Sequence, residues 1–403
     1  MNNTFRGIRK VCILDPGFGK LPGHHHMWNQ VLEKAFIEQG YSPYFFCSKR
    51  ISPEVLSLYG HARAHFVYNF YRRVSENTKP DNIAAFLTHA LYMQRDLAPL
   101  ASFVDSETLV FGHTLDAPAI LGIALWHTAL PPEQRPPLYL NIQFSFEKPT
   151  EWTEASYRLA MENLRGSIFH ISGTTDHLAE FLTKATGQQA SVLPMALDLP
   201  QTLKIKTNQD IVYGFTGEDR LERNTAILPE AIETYIEKGG AGCFILHLAP
   251  SDPRTTPYIE ALKALSQRYP ERITLFLRYI SNEEYYGLFD RFTAMLLPFS
   301  PDIYHEYRPS QSFQEAVAIG MPCIVCQGGF LGYEANKLQN GSVLMREPTA
   351  ACLTEALFEF EASAQQHFSA AAAVGEKYRI ENSVQCTLRH IFRTIDGKEE
   401  RNI

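Results

Sequence analysis

No apolar run in this sequence approaches the roughly 18 residues that a membrane-spanning helix needs. The first residues, MNNTFRGIRK, do not resemble a signal peptide and lead directly into a predicted strand, VCILD. We therefore expect a cytoplasmic protein, whose membrane contact, where it occurs, is peripheral and on the inner face.

The chain also lacks the basic excess of a dedicated nucleic-acid-binding protein. It has 37 Lys and Arg against 44 Asp and Glu, a formal net charge of −7, so we expect no nucleic-acid partner. The seven cysteines are odd in number and scattered, which is typical of a reducing compartment. Cys323 and Cys326 have CxxC spacing, but they fall in a predicted buried strand without a second pair, which favours core packing.

Several catalytic motifs are missing. The sequence contains no GxxxxGK[ST], no HExxH and no Ser-His-Asp order. The first βα loop, DPGFGKLPGHHHMWN, spaces Gly17, Gly19 and Gly23 as GxGxxxG, which is not the dinucleotide fingerprint. These glycines still permit close approach of a ligand to the backbone.

Apolar β-branched runs alternate with amphipathic helices along nearly all of the 403 residues. This pattern predicts parallel, doubly wound α/β sheets. The polar linker at 199–210 separates two Rossmann-like domains, 1–199 and 200–381, whose strand-end rims we expect to face each other across a cleft. The amphipathic segment 382–395 is a helix that we expect to pack back on the first domain.

Histidines follow two predicted strands of the first domain. His24, His25 and His26 stand at a helix entrance, and because three adjacent residues cannot face one point, a three-ligand metal site is not expected. We assign His24 and His25 to substrate contact. His113 ends another strand, where it points into the cleft or caps the next helix; the pattern leaves both interpretations open.

The segment Pro298–Val325 predicts a strand end, a loop, a short helix and a second strand. The helix begins at Ser310 or Ser312, and its free N–H groups with the nearby Arg308 form an anion site. Glu315, one turn further, is placed for a sugar hydroxyl. Ser312 and Glu315 also have the spacing of a capping box, which needs no ligand.

The loop after the first strand of the second domain is GEDRLERN. Its two guanidinium groups, Arg220 and Arg223, are suited to bidentate binding of phosphate oxygens, with Gly217 beside them. The neighbouring acids favour a solvated loop instead. In the first domain, HARAHFVYNFYRR (61–73) is basic and aromatic, which suits a membrane surface or a lipid-linked acceptor, or a helix exposed to solvent or a partner.

These motifs together resemble the retaining GT-B glycosyltransferases of the group-1, glycogen-synthase-like class. GEDRLERN resembles its G-x-x-R-x-x-K-G loop, with Arg220 as the first cation and Arg223 in place of the Lys. QEAVAIGMPCIV resembles its E-A-x-x-x-G-x-P-V-I signature, and Glu315 matches the second Glu of its E-x7-E motif. Tyr307 stands where that motif has its first Glu.

The resemblance implies a GT-B fold with an N-terminal acceptor domain and a C-terminal donor domain. It implies transfer of a hexose from a nucleotide-diphosphate sugar to a sugar, lipid-linked or protein acceptor, with retention and without a metal or other cofactor. Arg220 and Arg223 would then hold the diphosphate, with Gly217, Arg308, Ser310 and Ser312 assisting. Glu315 would bond the nucleotide ribose, and His113 would contact the donor sugar. The glycine loop with Gly19, Gly23, His24 and His25 would lie on the acceptor side.

Two other functions remain open from the sequence. A sugar-nucleotide 2-epimerase shares the two-domain fold and would need carboxylates in the first domain, where Asp15, Asp105 and Asp116 are available. A binding or scaffold subunit with a decayed donor site is suggested by Tyr307.

Overall fold

The computed structural model describes residues 7–19, 24–69, 83–143, 149–200, 202–203 and 210–397, without the side chains of 24, 83 and 85. The chain divides into two compact units, Met1–Asp198 with Asn382–Ile403 and Leu199–Glu381. Each unit is a parallel β-sheet whose strands are connected through helices. The alternation of strands and helices in the sequence therefore predicted the fold class correctly.

The described residues of the first unit contain a seven-stranded sheet. Its strands are β1 (Lys10–Asp15), β2 (Ser42–Ser48), β3 (Ala62–Phe66), β4 (Thr108–Gly112), β5 (Leu138–Ile142), β6 (Phe169–Gly173) and β7 (Ser191–Val192). Its helices are α1 (His24–Glu38), α2 (Pro53–Leu56), α3 (Ile83–Leu97), α4 (Ala117–Ala129), α5 (Glu151–Asn163) and α6 (Asp176–Thr186). The strand order is β3-β2-β1-β4-β5-β6-β7, with β1 and β4 fully buried apart from the first residue of β1.

The described residues of the second unit contain a six-stranded sheet. Its strands are β8 (Val212–Glu218), β9 (Cys243–Ala249), β10 (Ile273–Phe276), β11 (Ala294–Leu297), β12 (Cys323–Cys326) and β13 (Val343–Met345). Its helices are α7 (Leu228–Glu237), α8 (Thr256–Arg268), α9 (Asn282–Phe289), α10 (Gln311–Ala318), α11 (Gly329–Leu338), α12 (Ala350–Ala362) and α13 (Ala364–Glu381). The order β10-β9-β8-β11-β12-β13 has the same plan as the first sheet.

In each sheet the order in which successive strands are added changes direction once. The reversal lies between β1 and β4 in the first sheet and between β8 and β11 in the second. At such a switch point, the loops that follow the two neighbouring strands run apart and leave a crevice at the carboxyl ends of the strands. Open α/β sheets bind their ligands in this crevice. The topology therefore selects the loops after these four strands.

The last helix, α14 (Val384–Ile395), belongs to the first unit. The Phe392 ring stacks on Tyr41 with centroids 4.5 Å apart. The hydroxyl of Ser191 lies 2.7 Å from His170 Nε2 and 2.8 Å from His390 Nε2, so one polar chain joins α14 to the sheet. Burial lowers the pKa of both histidines, so both imidazole rings in this hydrogen-bonded row are neutral.

Local predictions were of mixed accuracy. Ser281 and Glu284, which have the S-x-x-E spacing of a capping box, form one at the start of α9, with 3.2 and 3.0 Å hydrogen bonds. The 61–73 segment is not a helix where it is described, because Ala62–Phe66 pairs with β2 as an edge strand; residues 70–73 lie outside the described part. None of the described helices combines the length and apolar character that crossing a membrane requires.

Candidate functional site

The Arg223 side chain lies against the end of β8, where a glycine leaves room for it. Its Nη1 donates a 3.2 Å hydrogen bond to the Thr216 carbonyl, and its guanidinium lies 5.2 Å from the Phe299 ring centroid. Gly217 has a φ of +136°, and a Cβ there would lie 1.6 Å from Arg223 Nη1. The glycine therefore serves the close approach of this cation, a reason that its place in the sequence motif did not reveal.

Arg223 also has positive charge that the rest of the described chain does not neutralise. It makes no ion pair with a carboxylate among the described residues, and its buried Nε has no hydrogen-bond partner there. An arginine without a carboxylate partner keeps charge that an external anion can neutralise through its terminal N–H groups.

Arg220 differs from Arg223 although both belong to one turn. Its Nη2 is ion-paired with Glu218, and its Nη1 lies 3.4 Å from Glu222 Oε1. Burial alone would lower the pKa of Arg220, but the carboxylates of Glu218 and Glu222 raise it above its usual value. The cation is permanently charged and already compensated by protein.

Besides the packing of Arg223 on Phe299, three polar contacts among the described residues join the loops after β8 and β11. The Asn224 side chain donates a 2.6 Å hydrogen bond to the Pro298 carbonyl, and the Ser300 amide donates to the Glu222 carbonyl at 3.2 Å. Arg308 Nη2 lies 2.9 Å from Glu222 Oε1. The structure thus brings Arg308 next to the Arg220 turn, as the shared strand-end rim requires.

Asn224 occupies a position where the resembled motif has glycine. It adopts a left-handed backbone conformation with φ of +53° and ψ of +37°. Asn is among the few residues other than Gly that adopt this conformation readily. The departure from the motif therefore leaves the turn geometry intact and adds the side chain that binds Pro298.

Helix α10 begins one residue after Ser310. The Ser310 hydroxyl accepts a 3.4 Å hydrogen bond from the Phe313 amide, so Ser310 is the N-cap. Ser312 lies inside the first turn, with its hydroxyl 3.1 Å from that of Ser310. The predicted Ser312–Glu315 capping box is wrong, since the Glu315 carboxylate has other partners.

Glu315 is buried, with 1% of its surface exposed. The Tyr285 hydroxyl donates to its Oε2 at 2.7 Å, and the Gln311 amide donates to its Oε1 at 2.8 Å. Burial raises the pKa of Glu315 to about 7, while these donors oppose the rise. At neutral pH the carboxyl is therefore poised between its two protonation states.

At the switch point of the first sheet a buried carboxylate holds two histidines. Asp15 lies 2.8 Å from His25 Nδ1 and 3.3 Å from His113 Nε2, and the Asn29 amide donates to it at 2.7 Å. Burial alone would raise the pKa of Asp15, but His25 and His113 hold it well below its usual range. Asp15 therefore stays ionised and orients both rings.

His113 is wholly buried in this cluster. Its Nε2 lies 2.8 Å from Asn29 Oδ1, its Nδ1 lies 2.8 Å from the Thr114 hydroxyl, and the Trp28 ring packs edge-on at 5.0 Å. Both ring nitrogens therefore have protein partners in this conformation, and His113 does not cap the next helix, whose N-cap is Asp116.

The other predicted residues of the first domain are placed unevenly. Gly19 follows β1, and its carbonyl accepts from the Ser52 amide at 3.3 Å. His24 is the first residue of α1, but its side chain is not described, and Gly23 lies outside the described residues. His26 is turned away from Asp15, with Nδ1 2.9 Å from the Tyr59 hydroxyl.

The residues that sequence reasoning missed are the partners of the predicted ones. Tyr285, Gln311 and Asn29 reach the site from helices, and nothing in their local sequence marks them as site residues. Glu222 was visible in the loop as a neighbouring acid, but its link to Arg308 depends on the tertiary fold.

Neither a protein-family model nor a curated protein sequence matches the chain. Solved structures do match. The N-terminal domain of Candida albicans trehalose-6-phosphate phosphatase gives a TM-score of 0.68 at 11% identity, over 97% of this chain and 97% of that one. Anabaena HepE in complex with UDP-glucose gives 0.63 at 13% identity, over 96% and 99%. Sucrose-phosphate synthase from Thermosynechococcus elongatus gives 0.64 at 13%, over 96% and 99%.

The chain has the GT-B fold. The matches span almost the full length of every protein compared, and glycosyltransferases are among them. Identities of 11–13% establish the fold and leave the reaction to be argued from the site.

We expect Gly217→Ala to destabilise the protein more than Gly239→Ala does. Both glycines have positive φ, where an alanine costs about 1–2 kcal/mol. Only at Gly217 does the new Cβ also collide with Arg223, while nothing lies within 4 Å of a Cβ at Gly239. Thermal unfolding of the two variants measures the difference. Equal losses would show that Arg223 moves aside without cost and is not held by the glycine.

Proposed function

We propose that the protein is a glycosyltransferase that transfers a sugar from a nucleotide-diphosphate sugar to an acceptor hydroxyl. The observation that carries the proposal is Arg223, an unneutralised guanidinium at the carboxyl end of β8, next to the switch point of a GT-B donor-type sheet. Anabaena HepE, which has this fold, binds UDP-glucose in its solved complex. We assign the second unit to the donor and the first to the acceptor.

The donor diphosphate is proposed to lie between the β8 loop and the start of α10. Gly217 lets Arg223 lie against the backbone there, and Arg220, Arg223 and Arg308 supply positive charge. The hydroxyls of Ser310 and Ser312 and the first amides of α10 donate hydrogen bonds to its oxygens. These fixed charges stabilise the negative charge that develops on the leaving diphosphate, so the proposed reaction needs no metal and no other cofactor.

We propose that the configuration of the sugar is retained. The bond from the anomeric carbon to the diphosphate oxygen breaks, and its electron pair leaves with the diphosphate. The acceptor hydroxyl attacks from the same face and gives its proton to that departing oxygen. We assign His113, oriented by Asp15, to the donor sugar, with Gly19, Gly23, His24 and His25 on the acceptor side. The acceptor is a sugar, lipid-linked or protein hydroxyl.

The transferase explains the first unit better than a 2-epimerase does. Of the three candidate carboxylates, Asp105 precedes β4 and bonds Lys10 and Thr108, and Asp116 is the N-cap of α4. Asp15 alone of these three lies in the histidine cluster. Incubation with a nucleotide-sugar but without acceptor tests this choice, since release of epimerised sugar would contradict the transferase.

Replacing Arg223 by alanine should weaken binding of UDP, GDP or dTDP by about 1.5–3 kcal/mol, which is the scale of a charged hydrogen bond. Calorimetry with the three diphosphates measures the change. Arg346→Ala, in the same unit and with 78% of its side chain exposed, removes an equal charge and should change the affinity little. Equal behaviour of both variants would mean that Arg223 is only structural.

Glu315→Gln should weaken nucleotide-sugar binding about tenfold and remove its pH dependence. Burial raises the pKa of Glu315 to about 7, so its carboxyl ionises as the pH rises from 6 to 8. Because the carboxylate is proposed to accept a hydrogen bond from a ribose hydroxyl, the affinity of wild type should increase over that range. UDP-glucose is the suitable probe, since its diphosphate does not titrate there. A variant with a lower melting temperature but unchanged affinity would limit Glu315 to a structural role.

We further propose peripheral contact with an anionic membrane through α3 and the edge strand β3. Leu87, Leu91, Tyr92 and Val67 are 42–53% exposed there, and Arg95 stacks on Tyr92. The one acid of α3, Asp96, is buried and accepts backbone hydrogen bonds from Val67 and Tyr68. The first hundred residues contain twelve Lys and Arg against seven Asp and Glu, although the chain is acidic. An apolar surface on which the described residues of α3 expose no acid, within a basic region, suits anionic lipid headgroups.

Vesicle co-sedimentation tests this contact. Wild type should sediment with vesicles that contain phosphatidylglycerol and less with pure phosphatidylcholine. Replacing both Leu87 and Leu91 by Gln should weaken binding by on the order of tenfold per leucine. Ile37→Gln removes an equally exposed apolar side chain from α1 and should have no effect. No binding by wild type, or equal binding by both variants, would overturn the contact.

A further inference from the structure

One carboxylate lies between two of the arginines that the proposed function assigns to the diphosphate. Glu222 Oε1 lies 2.9 Å from Arg308 Nη2 and 3.4 Å from Arg220 Nη1. Glu218 holds the other Nη of Arg220. The N–H groups that a phosphate oxygen would accept from are therefore already bonded to carboxylate oxygens, which compete for the same donors.

The carboxylate is the partner that can move. Arg308 has 12% of its side chain exposed and its guanidinium lies 4.6 Å from the Tyr304 ring centroid, so it is fixed by packing. The Glu222 side chain is 24% exposed, and its backbone is anchored by the Ser300 amide. Rotation of the Glu222 side chain toward solvent would release Arg308 Nη2 and Arg220 Nη1 without disturbing either loop, while Arg220 Nη2 stays paired with Glu218.

We propose that Glu222 is an internal counter-ion that occupies the place of the donor phosphate and sets donor affinity, because it must leave when the diphosphate binds. The inference rests on the proposed function. The counter-ion offsets the repulsion between the two guanidinium groups in the ligand-free protein, and binding exchanges one anion for another. Arg223, which has no carboxylate partner in the described chain, is the group that a diphosphate meets without competition.

Glu222→Gln tests the proposal. The amide keeps the size and an oxygen that accepts from Arg308, but it removes the charge. Calorimetry with UDP, GDP and dTDP at low salt should show about fivefold tighter binding of the accepted diphosphate, the scale of one partly exposed ion pair. The gain should shrink at high salt, because screening weakens the competing ion pair. The corresponding nucleoside, which has no phosphate, should bind wild type and variant equally.

Glu260→Gln is the matched control. Glu260 lies on α8 in the same unit, 61% exposed and paired with Lys263, so its replacement changes the net charge equally. Melting temperatures verify that both variants fold. Weaker or unchanged diphosphate binding by Glu222→Gln, with binding by wild type intact, would overturn the counter-ion and leave the proposed function standing. Absence of diphosphate binding by both proteins would overturn both.

Discussion

The hydrogen bond from the Asn224 side chain to the Pro298 carbonyl sets the spacing of the loops on which the second-unit site depends. These loops leave β8 and β11, adjacent strands from which the chain departs in opposite directions, so topology alone would let them separate. The bond draws them together. It requires a side chain at a left-handed position, and Asn supplies both the conformation and the donor.

Charge is distributed unequally over the site that this link creates. Arg220 and Arg308 share the Glu222 carboxylate, whereas Arg223 has only a carbonyl and an aromatic ring as partners among the described residues. A lone cation held by a glycine contact is preorganised: it needs no rearrangement to meet an anion. The paired arginines are held just as firmly but must first exchange their partner. The site thus combines Arg223, which has no carboxylate partner among the described residues, with Arg220 and Arg308, whose charges are offset by carboxylates.

Much of this architecture was predictable because it depends on local pattern. Strand and helix alternation determines a doubly wound sheet, and a Ser before an amphipathic run determines a helix start, as at Ser310. The identity of the partner groups was not predictable. Glu315 has the spacing of a capping-box partner of Ser312, but the Tyr285 hydroxyl from α9 bonds its carboxylate instead. Residue spacing within one helix cannot predict a contact with another helix. His113 is buried for the same reason, since Asp15 and Asn29 come from β1 and α1.

The contacts assigned to the nucleotide and those assigned to the sugar differ in how they depend on sequence. The proposed diphosphate contacts are a glycine, helix amides and guanidinium groups fixed by packing. These features are preserved although Arg223 replaces the motif's Lys and Asn224 replaces its Gly. Sugar recognition in the resembled motif uses a particular carboxylate, and here Tyr307 occupies its position. A phenol cannot supply a carboxylate's charge, so under the proposed function another group takes that role. Glu306, one residue before Tyr307, is a carboxylate beside that position. The Asp15–His113 cluster, where Asp15 is ionised and hydrogen-bonded, is a second set of described residues with suitable chemistry.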